Sequence, residues 1–462
     1  MQLDQTIFKS YDIRGIYPTQ INEENVAVIT EAIYDFFQTS FGKSTPLTIV
    51  LGRDMRLSSP SLFSVAKETL ISLGASVIDV GLVSTPTFYF SVFHYHYDCG
   101  IQITASHNPK EYNGIKFVRN SPGGLIKIGK STGMDTVRDS AASGHSGSKK
   151  RGGGATSRIN IIDDEITTAL NVLKNPRLKK FRVVADPANA MGATYIDAIF
   201  QKIPSELIKM NFELDGSFPS HQPDPLDFEN LKDLQAKVLK EKADFGLAPD
   251  GDGDRLFFID EKGQVVPASL ITSLIARELL LENSGGLILF DVRYILTPKK
   301  IIEETGGRYQ ITKVGHAYIT EQMTNTGALF AGESSAHYFY KPTGNAESQV
   351  FTIIIMLKIL SESGKTLSQL ADEVRRSSES GEINFKVSNA KEILEALSQK
   401  YSDGELVTLD GIAISYPTWR FNVRTSNTEP LLRLNLEADT KQEMEKKRDE
   451  LLHFIESTKK DN

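Results

Sequence analysis

Three times along this chain an apolar, strand-like run ends abruptly in a loop crowded with polar side chains, and no other feature narrows the fold so far. Cys99 to Ile103 runs into Thr104-Ala105-Ser106-His107-Asn108-Pro109. Asp244 to Ala248 runs into Asp250-Gly251-Asp252-Gly253-Asp254-Arg255, and Ala328 to Ala331 into Gly332-Glu333-Ser334-Ser335-Ala336-His337. Helix-period segments separate these runs, and strands alternating with helices demand a parallel or mixed sheet covered on both faces. Self-similarity over more than about 100 residues reads as tandem domains of related topology, not a solenoid. In such sheets ligands bind beyond the carboxyl ends of the strands, where these loops fall.

Taken in order, Phe8 to Gly15 is a loop-like lead-in carrying Arg14. Asn22 caps a helix presenting Val26, Ile29, Ile33, Phe36 and Phe37, which ends before Gly42. Strands at Leu47 to Leu51 and Ser76 to Val80 flank a helix with Pro60 in its first turn. Between Gly129 and Ser157 the composition shifts to Gly, Ser, Ala and Lys, which reads as a mobile surface loop and domain boundary. Phe181 to Ala185 opens a second unit and Leu287 to Phe290 a third. After the helix Thr366 to Arg375 the order changes to a helix at Ala390 to Lys400, several strands and a final helix at Lys441 to Ser457, an α+β module.

With 462 residues, about three or four domains are expected. A net charge of −7 argues against a nucleic-acid binder. Cys99 is the only cysteine, so an internal disulfide is impossible. The start, MQLDQTIFKS, lacks an apolar signal core, and Val350 to Leu360 is too short to span a bilayer. A cytoplasmic protein without a membrane partner is expected.

Asp250-Gly251-Asp252-Gly253-Asp254 is the strongest chemical signal. Carboxylates at every second position cannot share a helix face, but the intervening glycines let the loop turn until all three converge. Three hard oxygen ligands suit Mg²⁺. An EF-hand would place Glu261 at its twelfth position, yet Arg255 stands where that loop needs Gly. A solvated acidic turn is the plainer alternative. Ser106 is either a turn residue or a nucleophile. If phosphorylated, it brings the local tally to about −5 against +2 and calls for cations, for which Arg14, Lys116 and Arg255 are candidates. Arg424, Ser426, Asn427 and Thr428 form a donor-rich loop suited to a phosphate dianion, or a hairpin turn rich in capping residues. Glu333, Ser335 and His337 suit sugar hydroxyls, or merely close a strand edge. Gly315-His316-Ala317 follows another strand-like run, Gln310 to Val314.

Together these segments resemble the α-D-phosphohexomutase family, of phosphomannomutase/phosphoglucomutase type. The motifs are Tyr11 to Gly15, Thr104 to Pro109, Asn113 to Lys116, Asp250 to Arg255, Gly332 to His337 and Arg424 to Pro430, in the family's order across essentially the whole chain. The resemblance implies three tandem α/β domains with mixed sheets and a C-terminal α+β (TATA-binding-protein-like) domain around a central cleft. The expected divisions are 1–150 with the phosphoserine, 151–258 with the metal loop, 259–375 with the sugar loop and 376–462 with the phosphate loop. It further implies that Ser106 carries the transferable phosphoryl group, with Asp250, Asp252, Asp254 and that group on Mg²⁺. Glu333, Ser335 and His337 would hold the sugar, and Arg424, Ser426, Asn427 and Thr428 its phosphate.

The implied activity interconverts hexose 1- and 6-phosphates of mannose and/or glucose through a hexose 1,6-bisphosphate, which also serves as primer. Arg14, Lys116, His107, His316 and His337 are the candidates for general acid/base work, with Arg255 as a further catalytic cation. Two departures stand out: Ser334 replaces the Met usual in phosphomannomutase-type members, and Arg293 stands where some relatives have Lys. Alternatives are a phosphoglucosamine mutase, a metal-dependent sugar phosphatase and a non-catalytic sugar-phosphate or Ca²⁺ binder. A monomer or weak homodimer is expected.

Overall fold

The structure, a computed structural model, describes residues 3–42, 46–144, 152–425 and 431–459. Its first three sheets repeat one plan. In the first, Thr48–Arg53 lies parallel between Ser76–Leu82 and Cys99–Ile103, and Tyr112–Ser121 returns antiparallel beside Cys99–Ile103. In the second, Arg182–Ala185 lies parallel between Glu206–Lys209 and Phe245–Pro249, with Leu256–Asp260 returning beside the latter. In the third, Leu287–Asp291 lies parallel between Arg308–Thr312 and Phe330–Gly332, with Tyr338–Tyr340 returning.

The loops at 104–109, 250–255 and 332–337 therefore each connect the last parallel strand of a sheet to its antiparallel neighbour. The fourth sheet is wholly antiparallel, built on Ser378–Glu379, Ile383–Lys386, Glu405–Val407, Ile412–Ser415, Trp419–Thr425 and Leu431–Ala438. Ile393 and Leu397 of one helix and Met444, Leu451 and Ile455 of the last helix pack on it with Phe421 and Leu434. The four-domain expectation holds.

Several local expectations are corrected. Arg14 sits on a strand, Ile13–Ile16, paired antiparallel with Tyr112–Ser121, not in a loop. The Gly129 to Ser157 stretch is not a featureless loop. It contains the helix Met134–Ser143, whose Met134, Val137 and Ala141 form a buried stripe too thin to register in a Ser- and Ala-rich composition. It ends inside the strand Ala155–Arg158, parallel to Ser76–Leu82. The first sheet thus extends past residue 150; every residue of that edge strand is exposed, so no apolar alternation announces it. The division at 258/259 cuts the strand Leu256–Asp260, because the hairpin continues after the aspartates. Glu261 accepts hydrogen bonds from Ser368 instead of joining the acidic loop, and strands flank that loop, which removes the EF-hand.

The helix Gln349–Ser363 explains the Val350 to Leu360 run. It is buried nearly all round between the second and third domains, and one apolar cluster continues from Ile166 to Val374 across both. Among the described residues no helix is long and apolar enough to cross a membrane.

Glu165 marks the junction of three domains. It is fully buried on the helix Ile162–Val172 and accepts hydrogen bonds from Thr87 Oγ1 (2.7 Å) in the first domain and Ser348 Oγ (2.9 Å) in the third. Burial pushes its carboxyl from 4.5 up to about 7, against the pull of those two hydroxyls. Between these values the folded chain holds a proton that the unfolded chain releases, so stability falls as pH rises through this window. Glu165→Gln is expected to flatten that slope by on the order of 3 kcal/mol in urea unfolding compared at pH 4.5 and 7.5. An unchanged difference between wild type and variant would contradict a buried proton at this junction.

Candidate active site

Ser106 lies in the loop after Cys99–Ile103 with φ of 52°, a left-handed conformation that a serine holds only when its surroundings impose it. Arg56 supplies the constraint. Its buried guanidinium donates to the carbonyls of Ser106 (2.8 Å), Asn108 (2.6 Å), Pro109 (2.8 Å) and Tyr112 (3.0 Å), and its Nε lies 3.2 Å from Asp54. The sequence reading overlooked Arg56. Its signal was a carboxylate and a guanidinium two residues apart just beyond a strand end. Ser106 Oγ lies 3.3 Å from Asp250 Oδ2, to which it donates, and 3.2 Å from His107 Nδ1.

The three aspartates converge as expected. Asp250, Asp252 and Asp254 are all buried, with carboxylate oxygens within 4.8 Å of one another. Gly251 is required there, since a Cβ would sit 2.3 Å from the Ser106 carbonyl oxygen. Burial and the neighbouring Asp254 and Asp252 push Asp250 well above the usual carboxylate range. Burial would raise Asp254 too, but Lys116 and His337 hold it well below that range. Lys116 Nζ bridges Asp252 and Asp254 at 2.7 Å each, and these two carboxylates keep it charged despite burial. Thr85 Oγ1 donates to Asp252 at 2.6 Å, and Gln349 Nε2 to the Asp254 carbonyl at 2.6 Å. Asp252 Oδ1 is buried with no hydrogen-bond partner among the described residues. Crowded carboxylates, an orphaned hard oxygen and a serine hydroxyl alongside fit a divalent cation.

The remaining candidates divide by charge. Arg255 lies 3.1 Å from His107 Nδ1 and 3.8 Å from Asp250 and Asp224. Arg14 reaches Asn108 of the serine loop while paired with Asp12. Burial, Arg255 and Arg14 keep His107 neutral. Burial and the charges of Lys127 and Lys116 do the same for His316, whose Nδ1 faces Lys127 Nζ at 3.4 Å. His337 differs. Burial lowers it, but Asp254 at 3.2 Å and Glu333 at 3.0 Å push it up to about 9, so it is an imidazolium at neutral pH. Lys127 and its partner Glu347, both buried, were not anticipated; neither lies in a recognisable polar loop.

In the third domain's loop, Glu333 accepts from the Gly315 amide at 2.8 Å, and Ser335 Oγ accepts from Arg293 at 3.1 Å while meeting His337 Nδ1 at 3.0 Å. Arg293 is itself held bidentate by Asp291. Arg424, buried near the end of Trp419–Thr425, meets Glu382 at 3.1 Å. Ser426, Asn427 and Thr428 lie outside the described residues. The structure therefore gathers Ser106, His107, Lys116, Arg255, His337 and the aspartates into one contact network, with Arg14 at its serine end, His316 beside His337 and Arg424 on a separate domain.

Comparison with known proteins covers nearly the whole chain. Four profiles of the phosphoglucomutase/phosphomannomutase family match in sequence: alpha/beta/alpha domain I at residues 5–132, domain II at 164–263, domain III at 268–377 and the C-terminal domain at 382–453. A phosphomannomutase of Escherichia coli is 35% identical over 442 residues, 94% of this chain and 95% of that one. One from Methanocaldococcus jannaschii is 36% identical over 461 residues, 98% of each. A phosphoglucomutase/phosphomannomutase family protein from Burkholderia thailandensis superposes with a TM-score of 0.88 at 28% identity, covering 98% of both chains. By the match of all four domains and by identity over nearly its full length, this chain belongs to the phosphoglucomutase/phosphomannomutase family of mutases, which are isomerases.

Proposed function

We propose that this protein interconverts the 1- and 6-phosphates of mannose and/or glucose, with Ser106 as the phosphoryl carrier and a hexose 1,6-bisphosphate as intermediate and primer. The observation that carries this reading is the 3.3 Å approach of Ser106 Oγ to a buried aspartate on another domain. Names of relatives, phosphomannomutase and phosphomannomutase/phosphoglucomutase, support the choice of sugars.

Asp250, Asp252 and Asp254 would hold Mg²⁺, which when bound draws charge from the oxygens of the transferring phosphoryl group. The chain's own groups do the rest. Lys116, paired with Asp252 and Asp254, and Arg255, beside His107 and Asp250, are both kept cationic and would stabilise charge on the reacting oxygens, since phosphoryl transfer depends on positioning and electrostatics. As the bond from phosphorus to Ser106 Oγ breaks, a bond to the sugar hydroxyl forms, and the hydroxyl proton needs an acceptor. His107 and His316 are neutral and are the imidazoles left to receive it, although the burial and cations that keep them neutral also make them weak bases; His337 already carries its proton and instead orders Glu333 and Asp254. Glu333 and Ser335 grip sugar hydroxyls, while Arg424 with its loop holds the phosphate that is not reacting. In the second half-reaction the turned bisphosphate returns its other phosphoryl group to Ser106. A phosphatase has no use for a second phosphate clamp, so Arg424 favours the mutase.

A coupled assay with mannose 1-phosphate and glucose 1-phosphate side by side, primed with the 1,6-bisphosphate, is expected to give 6-phosphate product from at least one sugar. Ser106→Ala is expected to cut that turnover at least about a thousandfold while sugar phosphate still binds. Inorganic phosphate as the main product, or retained turnover in the variant, would overturn the reading.

A further inference from the structure

The phosphate clamp on the fourth domain already holds an anion, and that anion belongs to the chain. Glu382, between Gly381 and the strand Ile383–Lys386, extends its carboxylate into a group of three guanidinium ions. Oε2 lies 3.1 Å from Arg424 Nη2 and 3.9 Å from Arg293 Nη1, and Oε1 lies 3.3 Å from Arg433 Nη1. Arg424 and Arg433 are cross-strand partners, so their charges are forced together by the register. Arg293 has its own carboxylate, Asp291. For Arg424, Glu382 is the one carboxylate within salt-bridge reach among the described residues, and its buried Nε has no acceptor among them.

A dianion would satisfy this set better than one carboxylate does. A phosphate monoester carries about −1.5 to −2 at neutral pH and three acceptor oxygens, and it suits the planar fork of arginine. Glu382 is also the member free to leave. Its side chain is 27% exposed where that of Arg424 is 3% exposed, and it follows Gly381, whose φ of 74° marks a turn at the domain's first residues. Resting on the reading of the Arg424 loop as the clamp, we propose that Glu382 is a built-in competitor for the substrate's phosphate, keeping the arginines together when the clamp is empty and displaced when it fills. Such competition weakens the grip on either end of a bisphosphate. A bisphosphate that must turn end for end has to be let go, and a carboxylate re-entering the clamp supplies the replacement charge at that moment.

Titration calorimetry of the full-length, Mg²⁺-loaded protein with inorganic phosphate tests this without turnover, with Arg424→Met identifying the heat that belongs to the clamp. Glu382→Gln keeps size and shape but removes the charge. It is expected to bind phosphate at the clamp about five-fold more tightly than wild type, the factor released when one partly exposed ion pair no longer has to be broken. Glu382→Ala is expected to shift in the same direction. Equal or weaker binding in both variants overturns the inference. A wild type that fails to turn over hexose phosphates while Glu382→Gln still tightens phosphate binding removes the mutase reading and supports the competition.

Discussion

Everything at the centre of this molecule follows from the cost of burying Asp250, Asp252 and Asp254 together. Like charges within 4.8 Å and shielded from water repel strongly, and such a cluster persists only if cations surround it. The chain draws them from more than one domain: Lys116 from the first, Arg255 from the loop itself, and the His337 imidazolium from the third. The same ion pairs therefore assemble the cleft and charge it. Lys116 reaches the aspartates because Tyr112–Ser121 returns beside Cys99–Ile103, the very hairpin whose turn presents Ser106.

The rest of the scaffold serves that arrangement. Arg56 satisfies the carbonyls of Ser106, Asn108, Pro109 and Tyr112 with one guanidinium, which holds Ser106 in its left-handed conformation. Glu165 joins the first three domains through two hydroxyls, one beside the Thr85 that steadies Asp252 and one beside the Gln349 that steadies Asp254. The fourth domain joins this network through Arg293, which meets Glu382 on one side and donates to Ser335 on the other. Its contribution, Arg424, is poised by Glu382, an exchangeable pairing suited to a part that must grip and release.

Much of this was legible in the sequence because a polar loop after a parallel strand is a local pattern. Ser106, the aspartates and the Glu333 to His337 loop announced themselves by composition and position, and the structure brings them within hydrogen-bonding distance. Residues whose role depends on long-range partners did not. Arg56, Lys127 and Glu347 are ordinary charged residues until folding brings them against partners 50 to 220 positions away in sequence. The loop of His337 suggests a sugar ligand or a general acid/base, but its imidazolium state depends on Asp254, 83 residues earlier. The edges of sheets were equally hidden. Ala155–Arg158 pairs through backbone groups alone and shows no apolar face, and Leu256–Asp260 continues a hairpin across what looked like a boundary.

The central proposal is that Ser106 and the aspartate trio address one cation. Mn²⁺ in place of Mg²⁺ makes this directly readable, since phosphorus bound through oxygen to the paramagnetic ion shows a resolved ³¹P hyperfine coupling in electron–nuclear double resonance. In protein phosphorylated at Ser106 and free of other phosphate, such a coupling is the expected result, and it should vanish in Ser106→Ala. A Mn²⁺ bound by the aspartates with no ³¹P coupling in the phosphorylated protein would contradict a shared ion.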